Sequence, residues 1–284
     1  VKLVVKRPHR TVAEIVTVLI AIVVAFPLYW MVLTALKPEG EVLSTSPRPW
    51  TLAPTLDSFR RVLDVQNFGR YFLNSVVVAL IVVFFALLCA FLAAIALTRF
   101  RFRGRTVLLV MLLVAQMAPV EALTIPLFFV MKSVGDVAPA FGLNHLGSLV
   151  LVHLAFGLPF AIWMLRGFVA AVPVELEEAA TLDGASRFRF TWQVLFPLVA
   201  PGLVATSVLS FIHAWNDFLF AKTFIISASE QQTLPLGILA FFKPDQNDWG
   251  AIMAGSTLMT IPVLIFFVLV QRRLVSGLAG AVKG

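Results

Sequence analysis

Ionisable side chains are scarce in this chain, and those inside its apolar stretches are the ones that could do chemistry. Glu121 stands between Pro119 and Pro126 in "MAPVEALTIP", and His213, Trp215, Asn216 and Asp217 stand together in "IHAWNDFLF". A carboxylate at membrane depth is costly and normally faces a cavity or a partner. The other reading of Glu121 places it nearer the outer interface. His213 and Asp217 are four residues apart, which on a helix puts them on one face. Carboxylates, amides and aromatic rings are what a polyhydroxylated solute needs, because hydroxyls take bidentate polar partners and C–H faces take rings. The same groups can also hold a helix bundle together by interhelical hydrogen bonds. Metal or nucleophile chemistry has no support: His9, His145, His153 and His213 lack ligand spacing, and no Gly-x-Ser-x-Gly occurs. A phosphate-cradling Gly-x4-Gly-Lys-Ser/Thr loop is missing too. In the tail "GLAGAVKG", Lys283 is followed by Gly284, so no ATPase site is expected on this chain.

The elements that position these residues are written in the composition. Of 284 residues, 60% are hydrophobic and only 13% charged, too few charges to cover a soluble domain of this size. The expectation is an all-α membrane protein with six transmembrane helices, over about 11–36, 74–98, 106–131, 147–169, 201–226 and 250–270. The first stretch is too long for a signal-peptide core and lacks an Ala-x-Ala site, so it is read as a retained helix. Pro27, Pro119, Pro126, Pro159 and Pro262 fall inside the spans and predict kinks. No repeat and no low-complexity linker divides the chain, which is read as one transmembrane domain over 1–284. The lone Cys89 excludes a disulfide framework.

Charge sets the expected orientation. Fourteen of the 22 lysines and arginines fall on one side of the spans, at the N-terminus, in "TRFRFRGR", at Arg166, Arg187 and Arg189, and near the C-terminus. That side is expected to be cytoplasmic, with both termini there. The net charge of +7 is thus read as topology, and no nucleic-acid partner is expected. The segment 37–70, with Pro38, Pro47, Pro49 and Pro54, is expected to form an ordered outer cap.

Between the fourth and fifth spans lies a polar segment, about 173–197, that does not belong in hydrocarbon. Pro173 can open a helix, and Glu175, Glu177 and Glu178 sit where its dipole favours acid. Gly184 can supply a left-handed end, and Ser186 can cap a second short helix through about Val194, ended by Pro197. The expected result is helix, tight turn, helix outside the membrane. A lipid-lying helix would carry more basic residues, since acids crowded into one turn are repelled by anionic lipid. A docking element fits better.

This segment, "EAATLDGASRFRFTWQVLFPLVAPG", resembles the EAA loop of ABC-importer permeases, with Glu178, Ala179, Ala180, Asp183, Gly184 and Pro197 matching in order. "LKPEGEV", "TRFRFRGR", "HAWNDFLFA" and the tail "QRRLVSGLAGAVKG" are similar to the carbohydrate branch of that binding-protein-dependent transport family, as in the second permease of maltose-type importers. The resemblance implies an importer for a sugar or related polyhydroxy solute in a prokaryotic cell membrane, and a chain that is not itself an enzyme. It implies a homologous second permease, two ATPase subunits that hold ATP and Mg, and an extracytoplasmic solute-binding protein. Glu178, Ala179, Ala180, Asp183 and Gly184 would couple to the ATPases, and the glycine-rich tail would lie between them. In "LGILAFFKPDQNDWG", Phe241, Phe242, Asp245 and Asn247 would meet the binding protein. The competing reading is an ion-coupled carrier using Glu121 and Asp217, for which the inverted repeats that would support it are not seen.

Overall fold

The computed structural model describes the backbone of residues 8–64 and 67–281, and the side chains of 12–64 and 67–271. Lys2, Lys6, Arg7 and Lys283, used above for orientation, lie outside the described residues, as do the side chains of Arg10, Arg272, Arg273 and the rest of the glycine-rich tail. In chain order the helices are α1 (Pro8–Leu36), α2 (Glu39–Val42), α3 (Asp57–Asp64), α4 (Phe68–Arg99), α5 (Arg105–Gln116), α6 (Thr124–Val137) and α7 (Leu146–Ala171). They continue with α8 (Glu175–Leu182), α9 (Arg187–Phe190), α10 (Phe196–Trp215), α11 (Leu219–Phe224), α12 (Leu234–Gly237) and α13 (Trp249–Ala281). No strand occurs among the described residues. Helices are what hydrocarbon permits, because each satisfies its own backbone polar groups. Among the described residues, five stretches are long and apolar enough to cross a bilayer unbroken, and a sixth is a bent pair.

The chain forms two compact units, Val1–Phe68 with Ile238–Ile261, and Gly69–Gly237 with Pro262–Gly284. In the first, α1 exposes apolar residues such as Val23 and Val24 nearly all round, as a lipid-facing helix does. After it, the chain is ordered as a cap: the buried Lys37 ammonium donates to the Arg48 carbonyl at 2.6 Å and lies over the Trp30 ring. Arg61 on α3 grips Asp248 with two bonds, Nε to Oδ2 at 2.8 Å and Nη2 to Oδ1 at 3.1 Å. Asp248 also accepts from the Ala251 N–H, so one carboxylate both caps α13 and anchors α3. Gly250 is needed here, since a Cβ would come within 2.5 Å of the Ser58 hydroxyl.

The second unit holds the main core. Phe91, Ala94 and Leu97 of α4, Ala161, Leu165 and Val169 of α7, and Phe190, Leu195 and Val199 around α9 and α10 are all buried together. Two spans differ from the sequence reading. The third is not one helix over 106–131: α5 and the arm Val120–Val137, in which the 3-10 turn Val120–Leu123 leads into α6, are bent by 87° across residues 117–119. Pro119 has no N–H to continue α5 and pushes Ala118 out of the helical region. The fifth does not run over 201–226. It starts at Arg187 and ends at Trp215, with α11 as a separate short helix. Nor does Pro197 end the coupling segment: the turn Thr191–Leu195 widens to π geometry, with Phe196 N–H bonded to the Thr191 carbonyl, and the helix passes through the proline. Widening the preceding turn relieves the clash of a proline ring with the carbonyl four residues earlier.

Candidate functional site

The polar segment between α7 and α10 is built as a turn of fixed geometry. Asp183 ends α8, and Gly184 follows with φ +78°, a left-handed conformation that side chains with a Cβ rarely adopt. Gly184 N–H bonds the Thr181 carbonyl at 3.0 Å and Ala185 N–H bonds the Ala180 carbonyl at 2.9 Å. This is the paired pattern that closes a helix on a C-terminal glycine. Ser186 then accepts from the Arg189 N–H and starts α9. Of the matched residues, Glu178, Ala179, Asp183 and Gly184 are exposed and Ala180 is half-buried. Two large apolar side chains flank the turn in solvent, Leu182 at 89% exposure and Phe188 at 74%.

The base of this element is fastened where its tip is bare. Arg99, the last residue of α4, has a side chain only 8% exposed. It donates to the Val172 carbonyl at 2.8 Å and pairs with Glu177 of α8 at 3.5 Å. One guanidinium therefore ties the ends of α4, α7 and α8. Trp192 packs against Phe91, Phe188 and Phe196, and the Arg187 guanidinium lies over the Phe100 ring. Phe190 and Leu195 are buried in the core with Phe91 and Leu97 of α4 and Val199 of α10, so the base of the turn is packed against both helices. Nothing in the sequence marks Arg99 and Glu177 as partners, because 78 residues separate them and the pairing exists only once α7 has crossed and returned.

Deeper in the same unit lies a cavity of about 470 Å³, bordered by α4, α5, the 120–123 turn, α7 and α10. Its polar border is Gln116, His153, Ser210 and His213, and its rings include Phe156 and Phe160. His153 is buried, its ring set edge-on to His213 with centroids 5.5 Å apart. Its Nε2 lies 3.5 Å from Asp217 Oδ2, an ion-pair distance rather than a hydrogen bond. Asp217 itself accepts the N–H groups of Phe220 and Ala221 and caps α11. His213 and Asp217 are therefore not on one helical face, since α10 ends at Trp215 with Asn216 as its exposed cap. Trp215 is 1% exposed, stacked on Phe211 and edge-on to Phe72. Glu121 is exposed on the 3-10 turn of the break and does not border the cavity, although its neighbour Val120 does. The residue the sequence reading passed over is His153, a polar side chain in mid-span, which membrane cost alone singles out.

In the other unit, the outer-loop residues separate. Phe241 is buried, whereas Phe242 is exposed and packs edge-on to Trp249. Asp245 and Asn247 border a groove of about 230 Å³ with Glu39, Arg61, Lys243 and Asp248. Among the described residues no cluster of three or more histidines, cysteines and acids could hold a metal ion.

Membrane-length helices, one broken span and an exposed helix pair braced between two spans make up the architecture of the described residues. The fold is that of a bacterial ABC transporter involved in import of the acidic polysaccharide alginate, with a TM-score of 0.77 at 21% identity, covering 93% of this chain and 95% of that one. The chain belongs to the binding-protein-dependent transport system inner membrane component family, whose model matches residues 86–280. It is 41% identical over 276 residues to the diacetylchitobiose uptake system permease protein DasC of Streptomyces coelicolor, covering 97% of this chain and 98% of that one. It is 34% identical over 280 residues to the trehalose/maltose transport system permease protein MalG of Thermococcus litoralis, covering 97% of each.

Proposed function

We propose that this chain is one permease subunit of an ATP-driven importer for a saccharide or related polyhydroxy solute. It pairs with a homologous permease, rests on two ATPase subunits that bind ATP and Mg, and receives solute from an extracytoplasmic binding protein. The observation that carries the reading is the contrast within the 173–197 segment. Leu182 and Phe188 are bare at its tip, while Phe190, Leu195 and Arg99 fix its base in the bundle. Apolar side chains held out on a stiff polar element call for a protein partner. Closure of a motor around them can then move α10 and α4 as one body. The saccharide class rests on the relatives named above. The positive-inside excess supports an orientation with this tip, the Arg99–Arg105 loop and both termini in the cytoplasm and the groove with Asp245 outside.

The secondary-carrier reading rests on Glu121 and Asp217, but the Asp217 carboxylate serves as a cap for two backbone N–H groups of α11, and no inverted repeat marks the sequence. Reconstitution with and without the ATPase subunits decides between the two. Uptake should require both ATP and the binding protein. Uptake driven by a proton or sodium gradient without the ATPases would overturn the proposal. For orientation, Asp183→Cys and Asp245→Cys on a Cys89→Ser background are treated with an impermeant maleimide in intact cells. Only position 245 should label.

A further inference from the structure

We infer that the cavity between α4, α5, α7 and α10 is a transit site on this chain for one ring of an uncharged saccharide, with His213, Gln116 and Ser210 as its polar contacts. The inference rests on the importer reading and adds which residues meet the solute and which solutes they exclude. A volume of about 470 Å³ falls in the range of roughly 300–1,000 Å³ typical of small-molecule sites, which are mostly apolar with a few placed polar groups. Here Phe156 and Phe160, four residues apart on α7, supply ring faces for C–H edges. Gln116 and Ser210 supply an amide and a hydroxyl that can each donate and accept.

His153, 2% exposed, borders the cavity and sets its ring edge-on to that of His213, with centroids 5.5 Å apart. The exposed His213 imidazole is therefore the histidine presented to a solute, donating or accepting according to its tautomer. No lysine, arginine or carboxylate borders the cavity. A uronate or sulfonated sugar would enter without a counter-charge, so the site selects for neutral rings. Between the two phenylalanines lies Gly157, where an added Cβ would meet no atom within 4 Å. That position offers a way to fill the cavity without a clash inside the chain.

The test uses the complete complex in proteoliposomes, with diacetylchitobiose, maltose and trehalose as neutral probes and an alginate oligosaccharide as the charged one. Uptake is measured for Gly157→Ala, Gly157→Leu and Gly157→Trp beside the yield of assembled complex. Uptake should fall with side-chain size, by at least tenfold for Leu, at normal yield. In parallel, Ser210→Cys on Cys89→Ser is reacted with a small uncharged thiol reagent during turnover. The transported neutral sugar should slow labelling at least fivefold, and alginate should not. Equal labelling with and without a sugar that the wild-type complex imports would overturn the cavity site alone. So would normal uptake by Gly157→Leu. Should the Gly157 variants fail to assemble, the cavity is packed by a neighbouring subunit, and unprotected labelling at Ser210→Cys then removes the inference. If the wild-type complex imports none of the probes but alginate, neutral selection falls. If it imports no saccharide, the importer reading falls with it.

Discussion

The segment 173–197 and the break after Gln116 each place a proline in a helical stretch, and the two come out differently. The first is polar, charged and glycine-containing. Yet its glycine turn is closed by two backbone bonds, its base is clamped by Arg99, and its second helix runs unbroken through Pro197 into a span. The second is almost wholly apolar, and where Pro119 predicts a kink within one span the chain opens by 87°. Two prolines thus meet opposite fates. At Pro197 the preceding turn widens and the buried Leu195 and Val199 hold the helix on both sides. At Pro119 the adjoining residues are exposed or half-buried, so little packing opposes the break. Stiffness in this protein follows burial around a residue rather than the residue's own helix preference.

The most damaging way to attack the stiff element is at its turn. Gly184→Val forces a β-branched side chain into a left-handed backbone, a strain on the order of 1–3 kcal/mol. Import should drop more than tenfold while ATP hydrolysis continues uncoupled, measured side by side in proteoliposomes. Full coupling in that variant would show that the turn geometry is not what transmits motion. Amide exchange sharpens the comparison without mutation: residues 192–199 should exchange at least tenfold more slowly than 117–123, read by mass spectrometry of the complex. The reverse order would refute the assignment of stiff and open regions.

A smaller effect is expected at the brace. Arg99→Leu removes the bond to the Val172 carbonyl and the pair with Glu177, a loss of about 1.5–3 kcal/mol. Assembled yield should fall severalfold, and the ratio of transport to ATP hydrolysis with it, whereas Arg99→Lys keeps the charge and restores part of both. Equal coupling ratios in the two variants would reduce Arg99 to a folding residue. The mildest change should be Glu121→Gln. Exposed on the 3-10 turn and outside the cavity border, Glu121 should leave stability within about 0.5 kcal/mol and uptake within about twofold. A tenfold loss of uptake at normal yield would instead put Glu121 on the solute path.

Much of this was legible in the sequence, and for identifiable reasons. Apolar run length fixes membrane helices because hydrocarbon leaves the backbone no other way to bond, so α1 and α7 stand close to where the pattern put them. The glycine turn and the Ser186 cap were legible too, because each is a local demand of a few backbone groups on one residue. What tertiary structure alone decided is everything that depends on neighbours. Whether a proline breaks a helix depends on what packs around it, and that widened the kink expected at Pro119 into an 87° break and carried the helix through Pro197, where an end was expected. Whether His213 and Asp217 share a face depends on where α10 stops, and Trp215, buried between Phe211 and Phe72, stops it one residue before Asn216. The Arg99 brace and the approach of His153 to Asp217 exist only because segments 78 and 64 residues apart are folded together, and spacing along the chain does not encode distances of that kind.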